Sequence, residues 1–116
     1  MKRKKSNYIL PRADKAVIPV DKIINYALNP MGDKNKAIAF EKALGYNVSN
    51  ADKLIDQIYD NINKYPAILK NTDEYGTRYE IIMDITGVNG KTAKVLTGWI
   101  DDHKKSETRL ITIHVD

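Results

Sequence analysis

The apolar residues of this chain change period partway along, and that change constrains the fold more than any other feature. Up to Tyr65 they recur at helical spacing, and from Arg78 onward they alternate with polar residues. Ile23, Ile24, Ala27 and Leu28 predict a first helix over 22–29, capped by Asp21 and ended by Pro30. Ala37, Phe40, Ala43 and Leu44 predict a second over 34–44, between the cap Asp33 and Gly45. Leu54, Ile55, Ile58 and Ile62 predict a third, entered through the capping pattern Ser49-Asn50-Ala51-Asp52 and running no further than Tyr65, because Pro66 follows. The stretch 16–20, interrupted by Pro19, is an edge strand at best. After a polar loop at 71–76, strands are expected over 78–86, 93–100 and 109–115, with a polar turn at 101–107. The predicted class is α+β: three N-terminal helices packed on one face of a small antiparallel β-meander of three or four strands.

A chain of 116 residues suits one domain. At that size roughly two thirds of the unfolded surface is buried. A core can therefore form without staples, and the chain has no cysteine to supply any. The net charge of +4 resides in Lys2, Arg3, Lys4 and Lys5, because positions 6–116 balance 15 basic against 15 acidic residues. This suggests a basic flexible arm at 1–15 and a single domain at 16–116, and it disfavours a generic basic nucleic-acid module. Charge is local within the body. Residues 1–49 hold 10 basic and 4 acidic residues, and 50–90 hold 4 and 7.

No apolar run approaches the ~18 residues of a membrane span. Met1–Lys5 could imitate the start of an export signal, but only Tyr8–Leu10 follow before Pro11. No membrane association is expected, and the expected location is the bacterial cytoplasm. His103 and His114 lie too far apart for a helical metal-ligand pair, and no phosphate-loop, dinucleotide or nucleophile-elbow motif is present. No metal or cofactor is expected.

Asn89-Gly90 is a strong two-residue hairpin signal. With those two as the loop, Val88 pairs with Lys91 and Glu80 stands opposite Trp99. A three-residue loop with a bulge would instead shift the register by one and move one strand's set to the other face. In the two-residue register one face carries Tyr79, Ile81, Met83, Ile85, Leu96 and Ile100 against the helices. The other gathers Glu80, Ile82, Asp84, Val95, Thr97 and Trp99, joined by Leu110, Thr112 and His114. An exposed sheet face often carries Thr, Glu and an aromatic without any function. The same set nevertheless suits metal-free RNA cleavage. That reaction needs a base for the 2′-OH proton, an acid for the leaving oxygen and cations around the phosphorus. Histidine changes charge near neutral pH, so His114 and Glu80 are the candidate proton-transfer pair. Trp99 offers a stacking platform, and Thr97 and Thr112 can donate to phosphate oxygens. Lys34 and Lys36, in the first turn of the second helix, are the candidate phosphate ligands. His103 is expected to be loop decoration.

These residues resemble a known family. Ala16-Val17-Ile18-Pro19, 22–28 with Asn29-Pro30, and Gly32-x-Lys34-x-Lys36-Ala37-x-x-Phe40 with Leu44-Gly45-Tyr46 come first. Tyr75-Gly76-x-x-Tyr79-Glu80, Thr86-Gly87-x-Asn89-Gly90-Lys91, Val95-x-Thr97-x-Trp99-Ile100 and Arg109-Leu110-Ile111-Thr112 follow. In this order they look like a small bacterial and phage domain family of uncharacterised function, found free-standing and at the C-terminus of polymorphic toxins and prophage head proteins. The segment from Lys34 to Gly45 also resembles the helix-start motif of colicin-D-type tRNA nucleases, within the barnase, EndoU, colicin and RelE-like group. That likeness implies a metal-independent endoribonuclease toxin acting on RNA, plausibly tRNA, with Lys34, Lys36, Trp99 and Thr112 at matching positions and an immunity protein as partner. The colicin-type motif has a His where this chain has Ala37. The rival expectation is a non-catalytic phage or mobile-element protein that binds and inhibits a host defence or nucleic-acid-processing protein. A third is a structural or nucleic-acid-associated phage accessory protein that uses the basic arm.

Overall fold

A computed structural model describes residues 9–116. The expected arm therefore lies largely outside the described residues, Lys2 to Lys5 included. The folded body reaches further back than residue 16. Leu10 and Ala13 are buried in the core, and Thr108 Oγ1 donates to Pro11 O at 2.8 Å. A 3-10 turn, Ala13–Lys15, follows, and Arg12 in front of it pairs with Asp101. Within 16–20, Val17 alone reaches the sheet, as a parallel bridge to Arg109.

The first expected helix is shorter and wider than its spacing implied. It is a π-helical turn, Lys22–Ala27, in which Leu28 N–H donates to Ile23 O at 2.9 Å, one residue beyond the α-helical partner. Helix α1, Lys34–Leu44, has the expected bounds. Asp33 caps it by accepting from Lys36 N–H, and Gly45 ends it by donating to Glu41 O. Helix α2, Ala51–Asn61, is entered through a 3-10 turn, Val48–Asn50, whose capping box pairs Asn47 with Asn50, two residues before the expected start. It stops four residues short of Tyr65.

Four strands form one antiparallel meander in the order β1-β2-β3-β4: β1 Ile68–Asp73, β2 Gly76–Thr86, β3 Thr92–Asp102 and β4 Glu107–Val115. Half of the expected polar loop is therefore a strand. β1 is an edge strand exposed along its whole length and shifted in register between Leu69 and Asn71, so it carries no alternation to be read.

The β2–β3 register differs by one residue from the two-residue hairpin. The last ladder pair is Thr86 with Thr92, and Gly87 N–H still donates to Lys91 O at 2.7 Å, which leaves the three residues 88–90 in the loop. Gly90 N–H donates to Gly87 O at 3.1 Å, so Val88 and Asn89 form the centre of a tight turn one residue earlier than expected. Asn89 is also tied to the end of α1: its N–H donates to Leu44 O at 3.4 Å and its side chain to Ala43 O at 3.4 Å. Those carbonyls are among the ones a helix end leaves without partners. A one-residue slip turns a strand over. Val95, Thr97 and Trp99 therefore join Ile81, Met83 and Ile85 under the helices, while Leu96, Gly98 and Ile100 pass to the open face. Phe40 and Leu44 of α1, and Leu54 and Ile58 of α2, complete the core. Two α-helices thus pack on one face of the sheet, and the π turn sits beside β4.

β4 adds a second departure. Gly98 faces Thr112 but Trp99 faces Leu110, so Ile111 is an extra residue in a bulge. The bulge returns Leu110 to the core side with Ile113, and both are buried, against the expectation that Leu110 would face outward.

Candidate functional site

The start of α1 is fixed by short-range chemistry. Asp33 Oδ1 accepts from Lys36 N–H at 3.1 Å, and Asp33 N–H donates to Tyr26 O at 3.1 Å, which ties the helix start to the π turn. The two backbones approach so closely that a Cβ on Gly32 would stand 2.1 Å from Asn25 O, so only glycine fits there. Within the π turn, Ile23 and Ala27 point into the core, and Lys22 and Tyr26 form the neighbouring stripe.

This arrangement opens a cleft of about 300 Å³ against the edge of β4. Lys22, Tyr26 and Ala27 come from the π turn, Asp33 and Lys36 from the start of α1, and Ile111, Thr112 and Ile113 from β4. Three consecutive strand residues can line one cleft because the bulge lies among them. Half-buried Lys36 crosses the gap, and its Nζ donates to Thr112 Oγ1 at 3.1 Å. Room for Thr112 comes from Gly98 opposite, where a Cβ would lie 2.6 Å from Thr112 Cγ2. The lining carries two cations and one carboxylate, and one oxygen of that carboxylate is committed to the helix cap.

The structure brings together Lys36 and Thr112 from the expected set. Lys34 is exposed on the first turn of α1 and does not line the cleft. His114 is half-buried two residues beyond Thr112, roughly 7 Å along the strand. Glu80 shares a cross-sheet row with Gly98 and Thr112, two strand spacings or roughly 10 Å from Thr112. It pairs with Lys70 Nζ at 3.7 Å. His114 stands in the next row, opposite Leu96, so Glu80 and His114 do not form a pair.

Trp99 and Thr97 are not on the working face. Both are 0% exposed. Trp99 Nε1 donates to Thr97 Oγ1 at 2.8 Å, and Thr97 Oγ1 donates to Ile81 O at 2.9 Å. The one-residue change in register put them there, and it removes Trp99 as a stacking platform. Tyr26, Lys22 and Asp33 take part in the cleft instead. For Lys22 and Tyr26 the signal in the sequence is their i, i+4 spacing beside the buried stripe, and Asp33 is legible there only as the cap of α1.

A second polar cluster lies at the far end of the sheet. Arg109 Nη1 donates to Asp102 Oδ2 at 2.9 Å. That bond, then the Lys105 and Lys104 N–H groups, hold the Asp102 carboxyl below the usual carboxylate range. The Tyr75 N–H, then Arg78, do the same for Asp73. His103 Nε2 lies 3.2 Å from Thr77 Oγ1, so it has a partner beyond its own loop. Among the described residues no group of three or more His, Asp or Glu could hold a metal ion, and no helix is long and apolar enough to cross a membrane.

Residues 9–116 match the model of a domain of unknown function, DUF6883, and the chain belongs to that family. No curated protein and no solved structure matches the chain.

Proposed function

We propose that this DUF6883 domain is a metal-independent endoribonuclease-like toxin domain that holds an RNA phosphate in the cleft between the π turn and β4. The observation that carries the proposal is the reach of Lys36 Nζ across the cleft to Thr112 Oγ1, with Lys22 on the facing wall. A cation and a hydroxyl at one point, partly screened from water, suit a phosphodiester and the extra charge of its transition state. In this mechanism the 2′-OH loses its proton to a base as its oxygen bonds to phosphorus. The bond to the 5′-oxygen breaks, and an acid protonates that oxygen, leaving a 2′,3′-cyclic phosphate. His114, two residues beyond Thr112 on the same strand, is the residue assigned to proton transfer. Asp33 rather than Glu80 is the carboxylate in the cleft. The proposed substrate is tRNA in the bacterial cytoplasm, and a neighbouring immunity protein would cover the cleft.

The test is incubation of the purified chain with total RNA and analysis of the new ends. Wild type should produce cyclic-phosphate ends, and Lys36→Ala and His114→Ala should each lose at least about 100-fold in rate. A wild-type chain that leaves RNA intact and is harmless when expressed sinks the assignment.

One observation favours a second reading, a non-catalytic phage or mobile-element protein that binds a host defence or nucleic-acid-processing protein. The expected proton-transfer pair is not assembled, and the open sheet face exposes Ile68 and Ile82 among Lys70, Glu80, Asp84 and Lys94. In that case Lys36→Ala would keep its effect in cells, while an Ile82→Asp change on the open face would abolish it.

A further inference from the structure

We infer that Tyr26 is the base-stacking residue of the cleft, and that the cleft takes one nucleotide unit of a single-stranded RNA. This rests on the cleft being a phosphate site, as proposed above. Three described tyrosines are more than one third exposed, and two of them are already engaged. The Tyr59 hydroxyl donates to Ala16 O at 3.0 Å and accepts from Ile18 N–H at 3.2 Å, which fastens the N-terminal segment to α2. Tyr75 has Lys104 Nζ over its ring at 6.0 Å. Tyr26 is 59% exposed, lines the cleft and has no hydrogen bond on its hydroxyl among the described residues.

The Tyr26 backbone is nevertheless held firmly. Its carbonyl accepts from Asp33 N–H at 3.1 Å and Asn29 N–H at 3.3 Å, so the chain beneath the ring is set by the start of α1. A fixed backbone under an exposed ring is what a stacking platform needs, because little order is lost when a base arrives. Lys22 stands one turn before Tyr26, and Lys36 faces both across the cleft. A base on Tyr26 would thus have a cation on either side for the phosphates of its own strand. The cleft volume of about 300 Å³ is at the lower end for small-ligand pockets, a size that suits one nucleotide unit. Stacking of this kind tolerates any base.

The experiment measures binding of a short, labelled 2′-O-methyl oligoribonucleotide, which cannot be cleaved by 2′-OH attack, at fixed ionic strength. A ribose-phosphate oligomer of equal charge without bases is measured beside it. Tyr26→Ala should weaken the base-bearing oligomer by roughly 5- to 150-fold, the loss of one base–aromatic stack. It should leave the abasic oligomer unchanged, and Tyr26→Phe should bind like wild type. Lys36→Ala should weaken both oligomers alike. Equal loss on both oligomers in Tyr26→Ala, no loss on either, or a wild type that binds neither overturns the inference. Cleavage of unmodified RNA, measured in parallel, separates it from the proposal beneath. Tyr26-dependent binding without cleavage sinks the nuclease assignment and supports stacking, whereas cleavage undiminished by Tyr26→Ala does the reverse.

Discussion

The two faces of the sheet come from the same strands and behave as different materials. The helix-facing side holds Ile81, Met83, Ile85, Val95, Thr97 and Trp99, and its polar atoms bond to one another. The open side holds Glu80, Ile82, Asp84, Lys94, Leu96 and His114, with cross-strand ion pairs such as Lys94–Asp84 at 3.1 Å. Exposed pairs of that kind contribute little. The difference between the faces is not carried by β3 itself. Its two alternating sets, Val95-Thr97-Trp99 and Leu96-Gly98-Ile100, are both largely apolar, and either could face a core. The placement of the turn at Gly87–Gly90, outside the strand, decides between them.

The comparison can be broken most directly at Trp99. Trp99→Ala on the closed side should cost about 3–5 kcal/mol. Ile82→Ala on the open side should change stability by no more than about 0.5 kcal/mol. Urea unfolding of the two variants checks this; similar losses would erase the distinction between the faces, and a larger loss in Ile82→Ala would invert it. The chain has one tryptophan, which Trp99→Ala removes, so both curves are followed by circular dichroism.

A smaller loss is expected from Thr97→Val. The shape is nearly kept, but Trp99 Nε1 loses its acceptor and Ile81 O loses a donor. A cost of about 1–3 kcal/mol is expected for stranding buried partners, read from the shift in the urea midpoint.

Gly98→Ala tests the coupling of the open face to the cleft. The added methyl would stand 2.6 Å from Thr112 Cγ2, and Thr112 must move. The expected cost is about 1 kcal/mol, together with weaker binding of the abasic oligomer. Undiminished binding would separate Gly98 from the site.

The smallest effect concerns pH. Asp102 has a folded pKa below its unfolded value, held there first by Arg109. Its contribution is complete above the unfolded carboxylate value of about 3.9 and is lost as pH falls through the lower folded value. Thermal unfolding should therefore show wild type above Asp102→Asn at neutral pH, with the gap narrowing only in acid. A gap that is constant down to pH 2 would remove the ionic cause.

The parts legible in the sequence are those fixed by neighbours. α1 kept both expected ends because Asp33 and Gly45 act on the residues beside them. β1 was illegible because neither of its sides is buried, so no alternation was selected. The π turn has the apolar spacing of an α-helix, and only its hydrogen bonds distinguish the two. For the site, the chemistry of Lys36 and Thr112 could be read, and the fold brings them together across 76 positions. Trp99 lies on the closed side because the turn closes from Gly87 to Gly90, one residue earlier than Asn89-Gly90 alone suggests, with Asn89 held to the end of α1. Tyr26 went unnoticed because an exposed tyrosine has no pattern until the cleft around it exists.

The bulge in β4 also determines where the chain can change length. Nine residues of β4 answer eight of β3, and Ile111 is the one without a partner. Deleting it would leave Leu110 and Ile113 facing the helices and Thr112 and His114 facing outward, with an unbroken ladder. Removing a paired residue from mid-strand would instead turn over everything on one side of the cut. Ile111 is thus a position where a shorter relative could keep the whole fold while straightening the wall of the cleft.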